Sequence, residues 1–346
     1  MPELVDHLAG LTGTRDRDVI DVTLVQVFRE LLAARSVAIY RRVGEPGHQR
    51  WLTRARLQHD DAVPTSDPAW AELDELPALE SEPERCTALV QGTPVRLETA
   101  AGTRCIFPLG SDHETVGVLE IETGGALEPS DERVVASILR IYRNFHALLD
   151  YGERDMLTGL LNRKSFDDAF LKALADTAAT GDTSASDLDD GRRRREPARH
   201  YLGVIDIDHF KSVNDRFGHL IGDEVLLLLA RLMRGSFRYR DQLYRFGGEE
   251  FVSLVRCPDD ASALRVFERL RANTETYPFP QVGRITVSVG FTELRLTDTP
   301  ASAFERADRA VYFAKANGRN QVRSHRVLVE RGDLADAAKV GGIELF

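Results

Sequence analysis

The sequence predicts a mixed α/β fold, α/β with α+β character, arranged as two domains joined by a long helix. Three observations carry this expectation. The chain has 346 residues, which at roughly 100 to 200 residues per domain is enough for about two. Its composition, 42% apolar and 29% charged, is that of a folded globular chain and too apolar for wholesale disorder. Short apolar runs of strand character alternate with longer segments whose apolar residues recur every three or four positions, the spacing of an amphipathic helix.

In chain order, Asp18 to Leu32 reads as a largely buried helix, and Ser36 to Tyr40 as a strand. Residues 60–85 are rich in Pro, Asp and Glu, which predicts a long loop or short helices. Two short strands, Cys105 to Leu109 and Val116 to Ile121, flank the polar turn Gly110 to Thr115 and make a hairpin. A helix then starts at Pro129-Ser130-Asp131-Glu132, with Ser130 as its N-cap, and its apolar residues continue through Leu149. That helix either packs only on its own domain or pairs with its copy in a dimer. Residues 180–200 hold a Gly- and Ser-containing stretch and the run Arg192-Arg193-Arg194-Arg195, read as a solvated loop whose basic field is offset by Asp187, Asp189, Asp190 and Glu196.

The net charge of −10 argues against bulk electrostatic binding of nucleic acid, so an anionic ligand needs a dedicated site. Cys86, Cys105 and Cys257 show no CxxC spacing, and reduced thiols in a cytoplasm are expected. The N-terminus lacks a basic segment followed by an apolar core, and no apolar run approaches the roughly 18 residues that cross a bilayer. The expectation is a soluble, cytoplasmic protein without a membrane or nucleic-acid partner.

Chemistry concentrates in two places. Tyr201 to Asp208 is an apolar strand ending in carboxylates, and because residues two apart share a face, Asp206 and Asp208 should project together. Oxygen donors of this kind suit hard cations such as Mg2+. Downstream, Asp241 to Phe246 and Glu249 to Val255 read as two strands around Gly247-Gly248, where the absent Cβ lets a phosphate approach the backbone. If that hairpin lies beside the Asp206 strand, three carboxylates converge as metal-dependent phosphoryl or nucleotidyl transfer requires.

Gly247-Gly248-Glu249-Glu250-Phe251 resembles the signature of the GGDEF family of diguanylate cyclases, in the variant with Glu at its third position. Further motifs of that family occur in order: Asp155 to Arg163, Asp206 to Asp215, Phe217 to Asp223, and Lys315 to Asn320. The resemblance covers about residues 152–325. It implies that two GTP molecules are joined into cyclic di-GMP with release of two pyrophosphates, by a homodimer in which each site holds half of the reaction. Asp206, the carbonyl of Ile207, Glu249 and Glu250 are then the ligands of Mg2+ or Mn2+. Glu249 is also the implied base, although its role as a ligand matters more once a metal acidifies the attacking hydroxyl. The main chain of His209, Phe210 and Lys211 surrounds the phosphates, with the Lys211 side chain offsetting developing charge.

Asn214 and Asp223 resemble the pair that reads guanine, whose N1–H and exocyclic amine suit an acidic partner. Gly247, Gly248 and His219 complete the implied substrate site, and Lys315 and Arg319 grip the outer phosphates. Arg238 and Asp241 match an RxxD site where the product binds as inhibitor. Intact Asp206, Lys211, Glu249, Glu250, Lys315 and Arg319 argue against a catalytically silent receptor. Asp223 and the RxxD motif argue against a templated polymerase or an adenylate cyclase.

The N-terminal order of helix, strand, hairpin and closing helix resembles a GAF domain, and a PAS-like sensor leaves a similar trace. It implies a sensory or dimerisation module with an unknown ligand. Cys86, Cys105 and His113 are read as ordinary core or surface residues. The expected division is therefore a GAF-like domain over 1–150 ending in the connecting helix, a GGDEF, palm-like cyclase domain over 151–325, and a tail over 326–346.

Overall fold

The computed structural model describes residues 9–44, 47–68, 71–100, 102–110, 115–182 and 199–335. Contacts divide the chain into one unit over Met1–Gly152 and a second over Glu153–Phe346. Among the described residues no helix is long and apolar enough to cross a membrane.

The first unit is built on an antiparallel sheet of five strands in the order β2-β1-β5-β4-β3. These are β1 (Ser36–Val43), β2 (Arg50–Gln58), β3 (Val95–Thr99), β4 (Gly102–Gly110) and β5 (Thr115–Thr123). Alternate residues explain its two packed faces. Val37, Ile39, Cys105, Phe107, Leu119 and Ile121 turn to a core shared with α1 (Arg17–Leu31) and α3 (Pro129–Glu153). Ala38, Tyr40, Ile106 and Val118 turn to the opposite core with Trp51 and α2 (Pro83–Gln91). Asp21 on α1, fully buried, accepts from Tyr142 Oη of α3 at 2.5 Å and from Arg54 Nε of β2 at 3.0 Å, so both helices are pinned to the sheet.

The expected hairpin is β4 paired with β5. Its turn at 111–114, with His113, lies outside the described residues, as does most of the 180–200 loop with its four arginines. Within 60–85 the chain forms two 3-10 turns, Leu73–Glu75 and Leu79–Ser81, before α2. Strands β2 and β3 and helix α2 were not anticipated. Ser130 is not the cap of α3. The helix already begins at Pro129, whose fixed φ suits a first helical position, and the Asp131 carboxylate turns back to accept from the Glu128 N–H at 3.3 Å.

The second unit holds a six-stranded sheet in the order β11-β10-β7-β9-β8-β6. Central β7 (Arg199–Ile207) pairs antiparallel with β9 (Glu250–Cys257) on one side and β10 (Val287–Glu293) on the other. Beyond them lie β8 (Gln242–Gly247), β6 (Leu161–Asn162) and β11 (Val322–Ser324). On β7 and β9, Tyr201, Ile205, Phe251 and Val255 face a core shared with α6 (His219–Ser236) and α7 (Asp260–Thr276). Each buried Phe or Leu there contributes roughly 2 kcal/mol. The even-numbered Leu202, Val204, Val252 and Leu254 face the other core, under α4 (Phe166–Asp182) and α8 (Pro300–Ala316). Asp206 and Glu250 continue this even-numbered face, which is the face that α8 covers.

Helix α8 starts on a capping box between Thr299 and Ser302, with Pro300 behind it. Its small residues Ala303, Ala307, Ala310 and Ala314 are fully buried and let it approach β10 closely. The residues read as a tail do not begin as one. His325–Glu330 form α9, whose Leu328 is buried, because an apolar turn directly after β11 can close over α8 and β10.

The approach of α8 depends on Gly290, where a Cβ would stand 2.2 Å from the Ala307 carbonyl oxygen and 2.4 Å from the Val311 nitrogen. Both are backbone atoms and cannot swing aside. Gly290→Ala should therefore cost at least about 1–3 kcal/mol, the range for overpacking, and lower Tm in a thermal melt. An unchanged Tm would contradict the close approach.

Candidate active site

The site gathers at one end of the second sheet. Asp206, the penultimate residue of β7, pairs in register with Glu250 of β9 and Ser288 of β10. Its side chain is nearly buried, and the Lys315 ammonium from the last turn of α8 stands 2.6 Å from Oδ1. The contact is an ion pair, and Oδ1 has no aligned hydrogen bond. Burial pushes the Asp206 carboxyl upward; the Lys315 charge opposes that, while Asp208 and Asp308 reinforce it. Glu249 and Glu250 are raised first by burial and then by Asp206.

Asp308 was not singled out in the sequence. It lies on α8 two turns before Lys315, and its charge reaches both Asp206 and Glu250. The Lys315 charge thus acts on four carboxylates, Asp206, Glu249, Glu250 and Asp308, and repulsion among such carboxylates is the condition that a hard divalent cation relieves. The oxygen donors of Asp206, Glu249 and Glu250 fit such an ion in kind. Among the described residues, however, no three His, Cys, Asp or Glu side chains are gathered closely enough to enclose a metal. Ile207 is buried through its side chain, which leaves only its main chain to serve a ligand.

Asp208 does not share the role of Asp206. It lies beyond the strand end, 4% exposed, and both its oxygens are taken by protein donors, Ser288 Oγ and Thr286 Oγ1 at 2.7 Å each and the Asn320 N–H at 2.9 Å. The two aspartates do share a face, since Asp208 reaches Ser288, the register partner of Asp206, and its charge bears on Asp206; they differ in that the oxygens of Asp208 are already taken by protein donors.

The Gly247-Gly248 turn has φ of 146° and 49°, and a Cβ at either position would meet nothing within 4 Å. Space for a ligand beside the backbone is therefore present. The turn is clamped from behind by Arg245, whose Nε and Nη2 donate to the Gly248 carbonyl at 3.1 and 2.9 Å. Its Nη1 donates to Asp155 at 3.0 Å. Asp155 also accepts from the Thr158 N–H and hydroxyl at 2.8 and 2.7 Å. Burial would raise this carboxyl, but Thr158 and Arg245 together hold it below the usual carboxylate range. Arg245 escaped sequence reasoning because a lone arginine in a strand carries no pattern.

After β7, His209 takes φ 58° and begins α5 (Phe210–Phe217), with Phe210 buried and the His209 and Lys211 side chains exposed. Gly218 (φ 83°) links α5 to α6, whose first residue is the exposed His219. A Cβ on Gly222 would stand 2.0 Å from Asn214 Oδ1, so Asn214 lies against the backbone immediately before the exposed Asp223. Arg319 is exposed, in the left-handed region at φ 62°.

Arg238 is exposed, whereas Asp241 is 8% exposed and accepts from the Arg238 N–H at 2.8 Å, closing its own turn. Burial pushes the Asp241 carboxyl up to about 6, against its backbone hydrogen bond and the nearby arginines. A folded pKa raised from 3.8 to about 6 gives stability that is full below 3.8 and lost as pH rises through 6. Asp241→Asn should remove that loss, making the variant more stable than the parent at pH 8 by on the order of 2 kcal/mol. Urea unfolding at pH 4 and pH 8 measures it, and an equal difference at both pH values would contradict the assignment.

Residues 153–321 match the family described as diguanylate cyclase, GGDEF domain. The chain is 37% identical to the diguanylate cyclase DgcP of Pseudomonas aeruginosa over 210 residues, 59% of this chain and 29% of that protein. It is 37% identical to the response regulator PleD of Caulobacter vibrioides over 185 residues, 52% of this chain and 37% of the other. With DgcZ of Escherichia coli the identity is 35% over 176 residues, 48% of this chain and 51% of the other. The chain therefore spans between 29% and 51% of these relatives' lengths. Among solved structures, the GGEEF domain of a Vibrio cholerae diguanylate cyclase is 31% identical with a TM-score of 0.41, covering 48% of this chain and 98% of that one. The coiled coil and GGDEF domain of DgcB from Caulobacter crescentus, bound to c-di-GMP, gives 28%, a TM-score of 0.47, and coverage of 57% and 100%.

Proposed function

We propose, from the match of residues 153–321 to the diguanylate cyclase GGDEF domain family, that this protein condenses two GTP molecules into cyclic di-GMP. The observation that carries the reading is the pairing of Asp206 with Glu250 at the glycine turn, with Lys315 of α8 held against Asp206. Each 3′-hydroxyl attacks the α-phosphorus of the other nucleotide, forming a P–O bond while pyrophosphate leaves with the electron pair of the bond it breaks.

Asp206, the Ile207 carbonyl, Glu249 and Glu250 are the residues that would hold Mg2+ or Mn2+. Such an ion, when bound, neutralises phosphate oxygens and acidifies a bound hydroxyl. Glu249 is suited to receive the hydroxyl proton, because burial and the Asp206 charge raise its proton affinity. The main chain at His209, Phe210 and Lys211 and the open backbone of Gly247 and Gly248 line the phosphate path, and the Lys211 ammonium offsets charge that develops there. Asn214 and Asp223, with His219 nearby, read guanine. Lys315 exchanges Asp206 for the outer phosphates, which Arg319 shares.

One site supplies half of the bonds, so the reading requires a homodimer. The five-stranded sheet and its closing helix α3 support a GAF-like sensor that would set the geometry of that dimer through an unknown ligand. Exposed Arg238, with Asp241 shaping its turn, supports product feedback. Use of GTP supports work in the cytoplasm.

Incubation of the purified protein with GTP and Mg2+ should yield cyclic di-GMP by mass spectrometry. None after stripping of bound product would falsify the enzymatic reading. Glu249→Gln should lower turnover by at least about 100-fold with an unchanged circular dichroism spectrum. Arg238→Ala should shift product inhibition to higher cyclic di-GMP with little change in initial rate; an unmoved inhibition curve counts against that site.

A further inference from the structure

Asp208 is a buried carboxylate that the proposed chemistry does not use. Its Oδ1 accepts from Ser288 Oγ of β10, and its Oδ2 accepts from Thr286 Oγ1 and from the Asn320 N–H. Its own N–H donates to the Thr286 carbonyl at 2.9 Å. One carboxylate therefore joins the exit of β7, the approach to β10 and the turn after α8.

That turn is unusual. Gly318, Arg319 and Asn320 take φ of 107°, 62° and 47° in succession, and the left-handed region is disfavoured for the two that carry a Cβ. Such a backbone persists where its surroundings over-determine it. The surroundings here are specific. Asn320 Oδ1 accepts from Arg271 Nη1 at 2.9 Å, and Asn320 Nδ2 donates to Glu275 Oε1 at 3.0 Å, both partners on α7. The Arg319 N–H donates to the Ala314 carbonyl at 2.9 Å, and Gln321 Nε2 reaches the Ala314 and Asn317 carbonyls. Each of these anchors lies on backbone or on a neighbour of Arg319, while the Arg319 side chain itself is exposed.

We propose that Asp208 and Asn320 are positioning residues for nucleotide binding, a latch that fixes the strained turn so that Arg319 stands by the β7 terminus alongside Lys315. The inference rests on the reading of Arg319 as a phosphate-gripping residue. Neither Asp208 nor Asn320 touches the substrate in this arrangement; they act through the backbone of the residue between the glycine and the amide. Asp208→Asn keeps the shape but leaves one acceptor oxygen to serve the donors that two now share.

The test is a double-mutant cycle on GTP affinity, measured by calorimetry with Mg2+ present. Asp208→Asn and Arg319→Ala should each raise the Kd for GTP about tenfold, and the pair together should do little more than either alone, because they remove one interaction. A general structural lesion predicts losses that multiply. Multiplying losses, or an unchanged Kd in Asp208→Asn, would overturn the latch. Should Asp208→Asn melt below assay temperature, Asn320→Ala enters the same cycle with the same expectations. Because binding is the readout, a protein that binds GTP yet makes no cyclic di-GMP would defeat the proposed function without obscuring this result.

Discussion

The Lys315–Asp206 ion pair is the contact around which the second unit is arranged. A carboxylate at the end of a central strand, inside a face covered by a helix, is held at a desolvation cost that only an adjacent cation offsets. Lys315 can stand there only because α8 lies close on β10, and α8 lies close because Gly290 and a line of buried alanines remove the side chains that would hold it off. The same helix brings Asp308 toward the carboxylates, so the ammonium under-compensates the charge around it. That deficit is an electrostatic reason for the site to accept further positive charge together with polyphosphate.

The glycine turn is positioned by different means. Its backbone is free of steric neighbours on the ligand side but is gripped from behind, where Arg245 ties the Gly248 carbonyl to Asp155. Freedom in front and restraint behind are both required of a turn that carries reactive carboxylates, since a loose turn would not hold Glu249 and Glu250 against Asp206. The Asp208 latch extends the same logic to the opposite edge of the site, where strained backbone bearing Arg319 is fixed by neighbours from β7, β10 and α7.

The first unit follows a separate economy. Both faces of its sheet are covered, so its strands read as nearly continuous apolar runs, which is why β1 and the hairpin were legible. Strands β2 and β3 were missed because Arg50, Arg54 and Arg56 interrupt one and Arg96 and Glu98 the other. Arg56, Arg96 and Glu98 are exposed and Arg54 turns to the buried Asp21, a distinction that spacing alone does not reveal. The cap of α3 was misassigned for a related reason: Ser130 has the right chemistry, but the adjacent proline had already set the helical geometry one residue earlier.

By itself the sequence determined the apolar periodicities, and through them β7, the β8–β9 hairpin and the helices α1 and α3. It also determined the residue chemistry of the glycine turn, which the backbone demands locally. Which carboxylate serves the site was decided only by tertiary structure. Asp206 and Asp208 are equivalent in spacing and share a face, yet their partners differ. One is left facing Lys315, and the other is spent on Ser288, Thr286 and the Asn320 backbone. Period-two alternation gives the face on which a side chain lies, but which donors occupy that side chain depends on partners that are distant in the chain.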